Sequence, residues 1–127
     1  MIKILVDGEP VPAARPRFSG GGRVYQPARN REYGEKVGWC AKSAMGGRAP
    51  LKGSLSARVK LYRRYGVTSR AYGDVDNHLK AILDGMSGIV FDDDAQIVSC
   101  SVEKHTDADN PRAEIVISEM TSDVEKS

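Results

Sequence analysis

Three aspartates and a lysine, Asp74, Asp76, Lys80 and Asp94, fall within 21 residues of one another and have the types from which metal-assisted phosphate chemistry is built. The surrounding stretch reads GDVDNHLKAILDGMSGIVFDDDAQIV, Gly73 to Val98. Carboxylates gathered at one point repel unless a hard cation sits among them, and magnesium takes oxygen ligands. Such an ion activates water and neutralises charge developing on a phosphodiester oxygen, and a nearby lysine can bind the phosphate as a point charge. Each residue also has a plain structural account. Asp74 suits a helix N-cap and Asp76 the positive end of the helix dipole. Lys80 stands four residues from Asp76, and Asp92-Asp93-Asp94 reads as a turn. Their combination favours the metal site.

Other chemistries fit less well. Cys40 and Cys100 are 60 residues apart with no metal-type spacing, so zinc is not expected and both read as small hydrophobes. His78 and His105 lack ligand spacing, and His78 reads as a residue on the flank of its helix. No Gly-x-Ser-x-Gly or Walker-type loop occurs. An EF-hand is excluded because His78 stands at the third ligand position after Asp74 and Asp76.

The acids need elements to carry them. Asp74 to Met86 has helical period: Val75, Leu79, Ile82, Leu83 and Met86 form an apolar face, while Asp76, Lys80 and Asp84 share another stripe. A strand-turn-strand after it is expected to return Asp94 to the side of Asp74 and Asp76. Ile2 to Val6 reads as a strand, and 9–27 as a loop with a hairpin tip at Gly20-Gly21-Gly22. Asn30 to Met45 reads as a helix ended by Gly46-Gly47. Alternation predicts a strand over Leu55 to Tyr62 with a basic face (Arg58, Lys60), a short strand at Ile89 to Phe91, and strands over Ile97 to Lys104 and Arg112 to Glu119. The order β-α-β-α-β-β predicts a single α/β domain, α+β-like, with a mixed sheet and two main helices. One domain suits 127 residues. The tail 121–127 is expected to fray. No run approaches a membrane span and no leader pattern opens the chain, so the expected location is the cytoplasm.

The net charge of +2 hides a polarity: residues 1–35 carry +2, residues 36–73 carry +9 with no acid, and residues 74–127 carry −9. A basic half beside an acidic half permits phosphate attraction next to a cation site, or two faces that compensate one another. Arg15, Arg17, Phe18, Arg23, Tyr25, Arg29 and Arg31 interleave arginine with aromatic rings, a pattern that suits contacts to phosphates and unpaired bases and equally a solvated basic loop. Arg63 and Arg64, beyond Arg58 and Lys60, extend that expected DNA-binding surface.

The acidic block, Asp74-x-Asp76-Asn77-x-x-Lys80-x-x-x-Asp84 followed by Asp93-Asp94-x-Gln96-Ile97, resembles the RusA family of Holliday junction resolvases, found in bacteria, phages and prophages. Arg15-Pro16-Arg17-Phe18, Gly22-Arg23-Val24-Tyr25 and Pro27 are similar to the family's arginine block, and the likeness spans residues 8–119. It implies one RusA-like domain over 1–120 and a homodimer that nicks four-way junctions in paired strands with Mg²⁺ or Mn²⁺, in recombination and repair. By the same resemblance Asp74, Asp76 and Asp94 are the metal-binding catalytic aspartates, Lys80 the catalytic lysine, and Asp93 a weaker candidate ligand. His78 departs from the family, standing where an apolar residue is usual, and Ala13-Ala14 replace a lysine before Arg15. Two alternatives stay open: a branched- or single-strand-binding module without catalysis, and a nuclease for ordinary duplex or RNA.

Overall fold

The computed structural model describes residues 1–14, 17–18, 24–25 and 27–120. Along the chain come β1 (Ile2–Asp7), β2 (Arg17–Phe18), β3 (Val24–Tyr25), α1 (Ala28–Met45), β4 (Leu55–Arg63), α2 (Val75–Met86), a 3₁₀ turn (Asp94–Gln96), β5 (Ile97–Thr106) and β6 (Arg112–Glu119). The expected mixed sheet and two main helices are present. The short hairpin is too, as an antiparallel β2–β3 pair. The strand expected at Ile89 to Phe91 is reduced to isolated bridges from Phe91 to Leu51 and Ser87. Residues 121–127 and the glycine tip at 20–22 lie outside the described residues.

The main sheet runs β1-β6-β4-β5. Three of its strands form antiparallel pairs, whereas β4 and β5 are parallel. A parallel pair needs a crossover, and α2 supplies it. Period two then decides what is buried. Ile2, Ile4 and Val6 of β1, Leu55, Ala57, Val59 and Leu61 of β4, and Ala113, Ile115 and Ile117 of β6 all point to one face and are buried. On that face α1 lies over β1 and α2 over β5, and the helices pack against each other. Val37, Ala41 and Met45 of α1 and Ile82 and Met86 of α2 close the core. The helices approach closely because Gly85 has no side chain: a Cβ there would sit 2.8 Å from that of Val37. The opposite face, with Lys3, Leu5, Arg58 and Lys60, is open to solvent.

The sheet has two ends that matter for the site. At its upper end lie Asp7, Arg63, Thr106 and Arg112; at its lower end lie Ile2, Leu55, Ile97 and Glu119.

Candidate active site

Asp74 and Asp76 are placed by the loop that precedes α2. The Tyr72 ring is fully buried, and its hydroxyl lies 2.9 Å from the Leu61 carbonyl and 2.8 Å from that of His105 while accepting the His105 N–H at 3.1 Å. This fixes the start of α2 to the upper ends of β4 and β5. Gly73 turns the chain at φ +93°, where a side chain would be strained and its Cβ would sit 3.0 Å from Pro12 and from His78. Asp74 takes the N-cap position with extended backbone, yet its side chain makes no capping hydrogen bond. Asp76 follows in the first turn, exposed, with no hydrogen-bond or ion-pair partner among the described residues. Lys80 pairs with Asp84 at 3.2 Å, not with Asp76.

Beneath this end of α2 lies a buried polar cluster. Arg63, expected among the DNA-binding arginines, is only 2% exposed. It continues the inward alternation of Leu55, Ala57, Val59 and Leu61, so its side chain enters the core side. Its guanidinium meets Glu9 at 2.9 Å and donates to the Tyr72 carbonyl. His78 is also buried, not on the helix flank as expected, and lies 2.7 Å from that same carbonyl through Nε2. Nε2 therefore carries the proton and donates. Burial is the main reason its pKa falls to about 4, with Arg63 and Lys104 adding to the effect against the Tyr72 bond and Glu9. The segment after Glu9 is tied beside α2 as well: Ala13 N–H donates to the Asn77 carbonyl at 2.9 Å, and the Asn30 amide donates to that of Pro12 at 2.6 Å.

Asp94 is held at the other end of the domain. Asp93 caps the 3₁₀ turn, accepting the Ala95 N–H at 3.0 Å; that bond, with a contact from the Asp94 side chain, holds its carboxyl below the usual range. Gln96 is the clamp. Its Oε1 accepts from the Asp92 and Asp93 N–H groups at 2.9 and 3.1 Å, and its Nε2 donates to the Leu51 and Gly53 carbonyls at 3.0 Å. Asp92 pairs with Lys52 at 2.5 Å. All these partners precede β4 or border the lower end of the sheet.

The expected convergence of Asp94 on Asp74 and Asp76 within one chain does not occur. The twelve residues of α2 rise about 1.5 Å each, roughly 18 Å in all, and the loop after it closes on Leu51 at the lower end. No three His, Cys, Asp or Glu side chains among the described residues converge on a metal-sized point.

Of the other expected DNA contacts, Arg29 and Arg31 are exposed on the first turns of α1. Arg64 is 65% exposed, bonded at 3.0 Å to the Tyr65 hydroxyl. Arg15 and Arg23, and the side chains of Arg17, Phe18 and Tyr25, lie outside the described residues. Two residues escaped sequence reasoning. One is Gln96, whose spacing from the acids was visible but not its role. The other is Trp39, 71% exposed on α1 beside a groove of about 430 Å³ lined by Arg31, Lys42 and Asp84.

Residues 7–118 match the family model described as Endodeoxyribonuclease RusA. The chain belongs to the RusA endodeoxyribonuclease family. The matched residues take in both helices, both acidic ends, β4, β5 and nearly all of β6, and begin at the last residue of β1. A relative from Bacillus subtilis (strain 168), "Uncharacterized protein YqaN", is 29% identical over 141 aligned positions, covering 95% of this chain and 98% of that protein. A RusA-family chain is an enzyme that cuts within DNA strands. No described helix is long and apolar enough to cross a membrane.

Proposed function

We propose that this chain resolves Holliday junctions, as a homodimer that cuts paired strands with a divalent cation, Mg²⁺ or Mn²⁺, at Asp74, Asp76 and Asp94. The observation that carries the catalytic reading is Asp76: an exposed carboxylate in the first turn of α2, two residues from Asp74, with no partner among the described residues. The Asp74 carbonyl accepts the His78 N–H of its helix at 3.1 Å, while its side chain makes no capping hydrogen bond. The donor set is all carboxylate oxygen, which suits magnesium rather than zinc. One chain brings Asp74 and Asp76 together and holds Asp94 about a helix length away, so a three-carboxylate site requires Asp94 of the partner subunit.

A cation held there would supply Lewis-acid polarisation of the scissile phosphate and an activated water. The chain's own residues do the rest. Asp74 and Asp76 hold position through Tyr72 and Gly73. Lys80, one turn on from Asp76, would exchange Asp84 for a phosphate oxygen of the substrate. Arg29 and Arg31 would lead DNA towards this end of α2, beside which the Ala13–Asn77 and Asn30–Pro12 bonds tie their neighbours. Asp93, engaged as a cap, remains the weaker ligand.

Incubation with a synthetic four-way junction and Mg²⁺ tests the proposal. Paired nicks are expected, abolished by EDTA. Asp76→Asn is expected to lose cleavage by at least about 100-fold while binding the junction as well or better, since a phosphate-repelling charge is gone. Intact junctions at saturating protein with metal present would refute it and leave the binding-module reading. Equal cleavage of plain duplex or RNA would favour a less selective nuclease.

A further inference from the structure

We infer that Trp39 and the groove beside it hold a nucleobase that has left its stack, close to the strand that is cut. The inference rests on the nuclease reading above and names the part of a branched DNA that this flank of the molecule takes.

The groove lies between the two helices, where Gly34 and Gly38 of α1 meet Gly85 of α2. A Cβ on Gly38 would sit 3.3 Å from the Gly85 carbonyl oxygen, whereas one on Gly34 would meet nothing within 4 Å. Glycine thus leaves the floor without side chains at three positions, and Ile89 makes it apolar. The volume of about 430 Å³ falls in the usual range for small-molecule sites, roughly 300–1,000 Å³.

Trp39, the chain's one tryptophan, lines this groove and is 71% exposed. Lys42 braces it, with Nζ 5.3 Å from the ring centre. An indole left open to water is a stacking platform, and any base can use it because every base has a π-face.

The charges decide between a base and the phosphate backbone. A surface that only tracks phosphates carries cations. Here Arg31 and Lys42 are matched by Glu35 and Asp84. The carboxylates repel phosphate but accept from the amino groups on the edges of cytosine and adenine, while the two cations take the phosphates on either side. A base inside a duplex keeps both faces covered by its neighbours, so the occupant is an unstacked base, at a branch point or in a single strand.

Position links the groove to the cut. Lys80 is bonded at 3.2 Å to Asp84, which lines the groove. Asp76 precedes Asp84 by eight residues of α2, about 12 Å at 1.5 Å each, or about four nucleotides of a stacked strand at 3.4 Å. Asn30, which also lines the groove, is bonded to the Pro12 carbonyl at 2.6 Å, and the neighbouring Ala13 N–H to the Asn77 carbonyl near the start of α2.

A single tryptophan makes the chain's own fluorescence a reporter of Trp39. With EDTA present to prevent cutting, a synthetic four-way junction and a mixed-sequence single strand are expected to quench it, and a linear duplex of the same sequence to bind with little quenching. Binding itself is followed by anisotropy of the labelled DNA. Trp39→Ala is expected to keep the parent's Tm and to weaken junction binding between about 5- and 150-fold, the scale of one stacked base, with Trp39→Phe recovering most of the loss. Trp39→Lys separates stacking from charge: weakened binding supports the inference, and binding as tight as the parent's overturns it. No quenching at saturating junction, or equal quenching by duplex, also overturns it. A parent that cuts junctions with Mg²⁺ but shows no quenching refutes the groove alone. One that is quenched by junctions but never cuts refutes the nuclease reading alone.

Discussion

Arg63 shows how a charged residue can belong to the interior. Removing its side chain leaves Glu9, three-quarters buried, with only the longer Arg64 contact at 3.8 Å among the described residues, and takes a donor from the Tyr72 carbonyl. Arg63→Ala is expected to cost about 3 kcal/mol in urea unfolding, the lower range for breaking a buried pair because Glu9 retains some water. His78 makes a pH-dependent contribution. Its pKa falls from 6.5 to about 4 on folding, so the unfolded chain takes up the proton first as pH drops. That stability is complete above pH 6.5, is lost towards pH 4, and amounts to about 3 kcal/mol at about 1.4 kcal/mol per unit. His78→Leu should flatten the acid limb of a urea-midpoint against pH curve; an unchanged slope would refute the assignment. Neither residue's burial was read from the sequence. Positive charge suggested solvent for Arg63, although it stands in step with the inward positions of β4. His78 keeps the family's usual apolar position in use, and only the carbonyl of Tyr72, six residues before it, makes a polar ring tolerable there.

Among the elements, those with a clean period were legible. Strands β1, β4, β5 and β6 and both helices fall within a few residues of expectation, since alternation and the apolar stripe of α2 are local signals. The direction in which α2 carries the chain was not legible. Asp76 and Asp94 are only 18 residues apart, and nearness in sequence suggested nearness in space. Instead α2 spans the sheet from end to end, and four hydrogen bonds of Gln96 fasten the acidic turn at the far side. Gln96→Ala is expected to reduce junction cleavage by about 10–100-fold, the usual scale for residues that orient metal ligands. Raised Mg²⁺ should recover part of the loss if Gln96 positions Asp94. A loss that tracks only a lowered Tm would make Gln96 a purely structural residue.

For the whole molecule, the charge halves read from the sequence interleave. β4 of the basic segment lies between β5 and β6 of the acidic segment, with Lys60 opposite both Glu103 and Glu114. Lys52, Arg63 and Arg64 of the basic segment pair with acids too. The +9 is thus partly spent inside the fold, and the compensation weighed from composition is real. Junction binding should weaken with salt at a log–log slope shallower than the about −8 that nine phosphate contacts would give. Titration by fluorescence anisotropy at several salt concentrations measures it, and a slope steeper than that would show cations beyond this segment dominating.

The separation of Asp94 from Asp74 and Asp76 by the length of α2 bears on dosage. On the proposed reading, a lone newly made chain would carry an incomplete carboxylate set, and the site would exist only after two chains meet. Below the dimer dissociation constant, dimer and therefore cutting rate scale with the square of protein concentration. A cell holding a few copies would carry a nuclease that is harmless to its chromosome, and a burst of synthesis would switch it on sharply, with no inhibitor required.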